Sequence, residues 1–218
     1  MGQFRHILWP VLIWLAVGAV IIALMDTPAW SAKTFERVTN DEWVATGVLL
    51  STVVMLTLMG FYISMLVRAW LTMAALPFVR LFLAGAVAVV VYNVNVLLKD
   101  NYQQPRPCHE IQIATECPPL ENFSCPSNHT VIAFGLVAGL VFAMPRTAYI
   151  VLPLGVLEGV SRVIAGHHYP HDVLAGATLG MLGVLGVMLA SQPLQHRLAK
   201  RLSTTRMARA ESTTRSVS

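Results

Sequence analysis

The sequence predicts an all-α integral membrane protein, a six-transmembrane-helix bundle with both termini cytoplasmic. Three observations predict it. Of 218 residues, 56% are hydrophobic and 12% charged, against about 25% charged in an ordinary soluble domain. With a mean hydropathy of +0.63, too few polar side chains remain to cover a water-facing surface. Uncharged apolar stretches on the scale of the ~30 Å hydrocarbon core recur six times, and Lys and Arg fall in alternate connections between them. The net charge of +4 is modest. Much of it lies after Ser191, where Arg197, Lys200, Arg201, Arg206, Arg209 and Arg215 face only Glu211. That placement reads as a topology signal, and no nucleic-acid partner is expected.

The first span is Ile7 to Met25. Its 19 residues exceed the ~7–15 of a signal-peptide apolar core, so a retained helix is expected. An outer loop from Asp26 to Glu42 leads to the second span, Trp43 to Val67. Ala69 to Val79 contains Pro77 and reads as a short interfacial connection. The third span, Leu81 to Leu98, is uncharged between Arg80 and Lys99, and a second outer loop runs from Lys99 to Ser127. The fourth span, Asn128 to Met144, ends at a tight break formed by Pro145 and Arg146. The fifth, Thr147 to Ala165, is interrupted by Glu158 and Arg162, and the loop Gly166 to Asp172 leads to the sixth, Val173 to Ala190. Residues 1–191 thus form the membrane domain, and 192–218 a basic cytoplasmic tail expected to be poorly ordered. Arg5, the Arg68/Arg80 connection, Arg146 and the tail share the cytoplasmic side; the protein is expected to be multi-pass in the cell membrane.

All three cysteines, Cys108, Cys117 and Cys125, lie in the second outer loop. In an oxidising compartment one pair can form a disulfide, with three possible pairings.

Ionisable residues near membrane depth call for a reason, and here they gather at one level. Lys99 ends the third span and Arg106 follows seven residues on; Ser127, Asn128 and His129 open the fourth; Ser161, Arg162, His168 and Asp172 bracket the connection from fifth to sixth. Lys99, Arg106 and Arg162 suit a tetrahedral dianion. The start of the fourth helix adds free N–H groups and a positive dipole end. His168 and Asp172, four apart, share a face if the sixth helix begins there. A carboxylate on one ring nitrogen then leaves the other free to attack, while His129 donates a proton to the leaving oxygen. No carboxylate cluster suited to Mg²⁺ accompanies them, so neither metal nor cofactor is expected. The chemistry implied is phosphoryl transfer through a phosphohistidine.

Lys99-x6-Arg106-Pro107, Pro126-Ser127-x-His129 and Ser161-Arg162-x5-His168-x3-Asp172 together resemble the three motifs of the type-2 phosphatidic acid phosphatase superfamily. Its membrane members are six-helix lipid phosphate phosphatases. The resemblance implies that Lys99, Arg106, Ser127 and Arg162 bind phosphate, that His129 is the general acid, and that His168 is the nucleophile supported by Asp172. Asn128 stands where the family usually has Gly; its backbone amide remains available to phosphate, while its side chain narrows the pocket or adds a donor. The implied substrate is a diacylglycerol- or polyprenyl-linked phosphate or pyrophosphate at the outer leaflet, with the active site extracytoplasmic and the tail among membrane lipids. A lipid phosphotransferase would use the same residues. A transporter is less favoured, because its site belongs near the midplane in repeated halves. The motifs also resemble vanadium haloperoxidases, which are soluble.

Other polar residues carry structural expectations. Glu158, one turn before Arg162, suits a supporting salt bridge. His167 and His171 fall off the motif and read as pocket-edge or solvated. Asn93 and Asn95 suit interhelical hydrogen bonds. Gly176 and Gly180 suit close packing inside the bundle, from which no oligomeric state follows.

Overall fold

The computed structural model describes residues 2–24, 29–111 and 117–215. Met25, Asp26 and residues 112–116 lie outside the described residues, as do the side chains of Arg5, Arg209, Glu211 and Arg215. The regular elements of the described residues are all helices, with no strand among them: α1 (Gly2–Ala23), α2 (Ala29–Val38), α3 (Asp41–Leu71), α4 (Ala75–Tyr102), α5 (Pro107–Glu110), α6 (Asn128–Ala143), α7 (Ala148–Ile164), α8 (Pro170–Ala190) and α9 (Gln192–Arg215).

A helix stands at each of the six predicted positions. Four stretches, Asp41–Leu71, Ala75–Glu110, Pro145–Ile164 and Pro170–Ala190, are long and apolar enough to cross a membrane. The protein is therefore multi-pass. The apolar part of α1, Pro10–Ala23, and α6 are shorter. With 16 residues, α6 extends about 24 Å at 1.5 Å per residue, less than the hydrocarbon thickness.

Three elements differ from the sequence expectation. The loop expected between the first two spans contains α2, whose Ser31 and Phe35, one turn apart, are buried. The rest of α2 is polar enough to hide it from a search for long apolar runs. The connection expected over Ala69 to Val79 is shorter and lies between Leu71 and Ala75. α3 runs on to Leu71, and α4 restarts at Ala75 with Pro77 in its first turn, where a missing N–H costs nothing. Residues Gln192–Arg215 form α9 where a poorly ordered tail was expected. Its start is tied to α8 by Gln195 Nε2, which donates to the Met188 carbonyl at 2.7 Å. Further along, the Arg206 guanidinium lies 3.7 Å from the centre of the Trp70 ring.

α6 is the central element, packed against α3, α4, α7 and α8. Its contact with α8 is the closest. A Cβ on Gly176 would stand 2.7 Å from the Ser127 carbonyl oxygen, and one on Gly180 would collide with that of Val131. The Gly176/Gly180 pair is thus spent on internal packing, as expected, and holds the start of α8 against the start of α6. Arg68, Arg80 and Arg146 lie at the opposite end of the bundle from Lys99, His129 and Asp172, as their places along α3, α4, α6, α7 and α8 require. Gly180→Ala is expected to cost about 1–3 kcal/mol through overpacking, read as a lower thermal midpoint in detergent. Gly60→Ala, with nothing within 4 Å of the added carbon, leaves that midpoint unchanged or raises it.

Candidate active site

Five helix ends converge at the polar end of the bundle, and the local sequence explains how each side chain arrives. Lys99 lies in the last turn of α4, which closes on Gln103 in the left-handed region, with the Gln103 N–H on the Lys99 carbonyl. Arg106 immediately precedes α5. Ser127 is the residue before α6, and its N–H donates to the Asp172 carbonyl at 3.1 Å. Between α7 and α8 the chain reverses at Gly166, whose φ of 72° suits glycine. Pro170 then starts α8, with Tyr169 extended before it, as a residue preceding proline prefers.

Asp172 sits in the first turn of α8 and reaches back to cap it, its Oδ2 accepting from the Tyr169 N–H at 2.8 Å. The same oxygen accepts the Ser124 hydroxyl. His168 precedes the helix, so the four-residue spacing to Asp172 is realised through the cap rather than along one helix face. His168 Nδ1 is 3.6 Å from Asp172 Oδ2, beyond a direct hydrogen bond, and 3.4 Å from Ser124 Oγ. Ser124 therefore bridges a pair expected to touch directly. The other ring nitrogen, Nε2, lies 3.0 Å from Arg106 Nη1. Complete burial, reinforced by the charges of Arg106, Arg162 and Lys99, holds the His168 imidazole well below its ordinary pKa. It is a neutral base there.

The three cations are each held by neutral acceptors. Lys99 Nζ donates to Asn122 Oδ1 at 3.2 Å. Arg106 donates from Nη2 to the same oxygen at 2.9 Å, from Nε to the Asn122 carbonyl at 2.6 Å and from Nη1 to the His167 carbonyl at 3.1 Å. Arg162 donates from Nη2 to His167 Nδ1 at 2.9 Å. Glu158 is fully buried, yet it does not pair directly with Arg162. Its Oε1 accepts from Ser51 of α3 at 2.7 Å, and Ser51 Oγ lies 3.5 Å from Arg162 Nη1.

Asn128 lines, with Lys99 and Asn122, a pocket of about 350 Å³. Its Oδ1 accepts from Asn95 at 2.7 Å, which joins α4 to α6 as expected, while Asn93 bonds only within its own helix. His129 is half-buried at the start of α6.

His167 and His171 are both buried, contrary to the reading of them as pocket-edge or solvated. His167 is held by Arg162 and Arg106, and His171 is covered by α2, which closes over the start of α8. Ser31 Oγ accepts the His171 backbone N–H at 3.1 Å and lies 2.9 Å from its Nδ1. The His171 Nε2 stands 3.0 Å from Asp172 Oδ1 and 3.1 Å from Gln104 Nε2. Phe35 packs edge-on against Tyr169, and Tyr169 donates to Glu110 at 2.7 Å. Cys125, His171 and Asp172 place metal-ligating atom types within 4.8 Å of one another, but those of His171 and Asp172 are already turned to each other, to Ser31 and to Ser124.

The structure thus brings Lys99, Arg106, Ser127, Asn128, His129, Arg162, His168 and Asp172 to one end of the bundle. Sequence reasoning missed Ser31, Ser51, Asn122, Ser124 and the part played by His171. Of the three possible disulfides, Cys108–Cys117 forms, leaving Cys125 buried as a free thiol.

The chain is 30% identical over 99 residues to undecaprenyl-diphosphatase BcrC of Bacillus subtilis, covering 45% of this chain and 51% of that protein. It is 34% identical over 120 residues to decaprenylphosphoryl-5-phosphoribose phosphatase of Mycobacterium tuberculosis, covering 51% and 65%. The chain thus spans between about half and two thirds of these relatives. In fold it is similar to the crystal structure of a transmembrane PAP2-type phosphatidylglycerolphosphate phosphatase from Bacillus subtilis, with a TM-score of 0.50 and 23% identity over 82% of this chain and 93% of that one. The PAP2 superfamily profile matches residues 77–195, a range that contains all three motifs and more than half of the sequence, and the chain belongs to that superfamily.

Proposed function

We propose that the protein is a metal-independent lipid phosphate phosphatase, hydrolysing the terminal phosphate of a polyprenyl- or diacylglycerol-linked phosphate or pyrophosphate at the outer leaflet. One observation carries the reading: Lys99, Arg106 and Arg162 surround a buried neutral imidazole, His168, whose Nδ1 faces Ser124 and Asp172 and whose Nε2 faces Arg106. The relatives named for undecaprenyl and decaprenyl substrates favour the polyprenyl class.

The steps follow from the ring. The three cations and the free N–H groups opening α6 bind the phosphate oxygens. His168 Nε2 attacks phosphorus, and the bond to the lipid oxygen breaks as His129 gives that oxygen a proton. The phosphohistidine retains its proton on Nδ1, and its positive ring is stabilised through Ser124 by the Asp172 carboxylate. Water then attacks phosphorus, His129 takes its proton, and His168 leaves as neutral imidazole. Glu158, through Ser51, positions Arg162.

The membrane side rests on two supports. Arg68, Arg80, Arg146 and the basic α9 mark the opposite end as cytoplasmic, and the Cys108–Cys117 disulfide suits an oxidising compartment. On this reading the six apolar helices are six membrane crossings, and both termini are cytoplasmic.

Phosphate release from undecaprenyl diphosphate and phosphatidic acid by the detergent-purified protein is expected to persist in EDTA. His168→Ala abolishes it, and His129→Ala lowers it by about 10²–10⁴-fold; release dependent on an added divalent ion, or surviving in His168→Ala, rejects the mechanism. Ser124→Ala, which removes a hydrogen bond to a buried carboxylate, is expected to lower kcat by about 10–100-fold with KM nearly constant. In intact cells a cysteine introduced by Glu121→Cys should react with a membrane-impermeant maleimide, whereas Arg146→Cys should not. The reverse pattern would place the site in the cytoplasm.

A further inference from the structure

The pocket beside Lys99 holds groups that a phosphate alone does not call for. Asp100, Glu121, Asn122 and Asn128 line it together with Lys99, so its wall offers carboxylates as well as donors. A phosphate oxygen only accepts hydrogen bonds, and a carboxylate repels it. Asn122 Oδ1 is already engaged by Lys99 and Arg106. The Asn128 amide is differently placed, because its surroundings fix which end of it is free. Asn95, fully buried one turn before Lys99 on α4, has its Nδ2 3.3 Å from the Pro126 carbonyl oxygen. A carbonyl only accepts, so the Asn95 atom beside it is the NH2 group. The same NH2 group stands 2.7 Å from Asn128, and the Asn128 atom that meets it is therefore the oxygen, Oδ1. That leaves Asn128 Nδ2, with two hydrogens to donate. No described residue accepts from it, and Asn128 is half-buried in the pocket wall. Tied to α4 through Asn95, the amide is oriented before a ligand arrives, so little ordering is needed when one binds.

We infer that Asn128 selects a substrate with a hydroxyl on the carbon next to the phosphate-bearing one, as in a glycerol or sugar phosphate. The proposal rests on the lipid phosphatase reading and adds to it the headgroup that adjoins the scissile phosphate. A hydroxyl both accepts and donates. Its oxygen accepts from Asn128 Nδ2, and its proton goes to Asp100 or Glu121. A second phosphate in the same place would also accept from Asn128, but it would bring its charge against both carboxylates. A plain alkyl chain there would cover the amide and leave it unpaired.

Substrates that differ by that hydroxyl alone test the assignment. Full-length wild type and Asn128→Gly, purified in detergent, are given 1-oleoyl lysophosphatidate, its 2-deoxy analogue and farnesyl diphosphate, and phosphate release is followed. Wild type is expected to favour lysophosphatidate over the deoxy compound by about 3–10-fold in kcat/KM, the contribution of one neutral hydrogen bond. In Asn128→Gly that ratio should fall close to one. Both rates come from one preparation, so the ratio does not depend on how much of the variant is folded. Asn95→Ala, which unties the same amide, should lower the ratio too and serves if Asn128→Gly does not fold. A wild-type ratio of one, or a ratio that both variants leave unchanged, overturns the proposal. A selective loss of farnesyl diphosphate turnover in Asn128→Gly, with the ratio unchanged, assigns the amide to a second phosphate and overturns it as well. Release from farnesyl diphosphate alone rejects the proposal and leaves the phosphatase reading in place. No release from any of the three by wild type rejects that reading, and the proposal falls with it.

Discussion

A carboxylate with no exposed surface sets the terms for this site. Asp172 is wholly buried at the start of α8, where an ionised group is tolerated only if surrounding donors and charges replace water. The chain meets that demand with hydrogen bonds at Oδ2, while Oδ1 accepts none among the described residues. The Tyr169 N–H and the Ser124 hydroxyl bond to Oδ2, His171 Nε2 stands 3.0 Å from Oδ1, and Lys99 and Arg106 lie near enough to interact with the carboxylate. Tyr169 and His171 belong to the start of α8 itself, whereas Ser124, Lys99 and Arg106 come from other segments, so holding the carboxylate also fixes how the end of α4, the segments before α5 and α6 and the start of α8 are arranged. The Ser127 N–H on the Asp172 carbonyl, and the glycine contact between α6 and α8, keep the backbone registered to the same point.

Three cations at one membrane surface are a liability that a single carboxylate does not offset. The fold holds them with neutral acceptors: the Asn122 side chain and carbonyl, the His167 carbonyl and ring, and the Ser51 hydroxyl. Neutral acceptors satisfy hydrogen bonds without cancelling charge, so a net positive potential remains at the pocket. A phosphate dianion offers stronger, charge-assisted partners. The structure is therefore electrostatically incomplete toward an anion in a way that the spacing of Lys99 and Arg106 alone would not establish.

What the sequence made legible was whatever depends on side-chain type at a helix end. Lys, Arg, His and Asp at the rims of apolar runs stand out because they are costly there, and all eight of the residues singled out for the site converge. Residues whose type is unremarkable in a loop stayed hidden. Ser31, Ser51, Asn122 and Ser124 carry no periodic or charge signal, and their importance arises from partners distant in sequence. His171 was misjudged for the same reason. It lies beside Asp172 at a helix start that would be open to solvent, except that α2 covers it, and α2 is too short and too polar to register as a span. The direct pairs expected from spacing, His168 with Asp172 and Glu158 with Arg162, are each interrupted by a serine. Helical periodicity gives proximity to within a few ångströms, and at that scale a hydroxyl beside the pair takes the hydrogen bond.

The same periodicity explains how one bundle serves both halves of an amphiphile. A helix face repeats every three or four residues, so the face of α4 that ends in Lys99 continues inward as Tyr92, Ala88 and Gly85, and that of α6 from Asn128 to Ile132 and Leu136. Polar chemistry is confined to the last turn, where chain ends supply free N–H groups and loops supply acceptors. Deeper in the bundle, no free backbone donors remain and the groove between α3, α4 and α6 offers mainly apolar contact. Because α6 is shorter than the bilayer core and begins at the site, the phosphate pocket and the apolar groove meet at its first turns. A ligand matched to that junction must change from charged to hydrocarbon within about 10 Å, as a lipid phosphate does and a soluble phosphate ester does not.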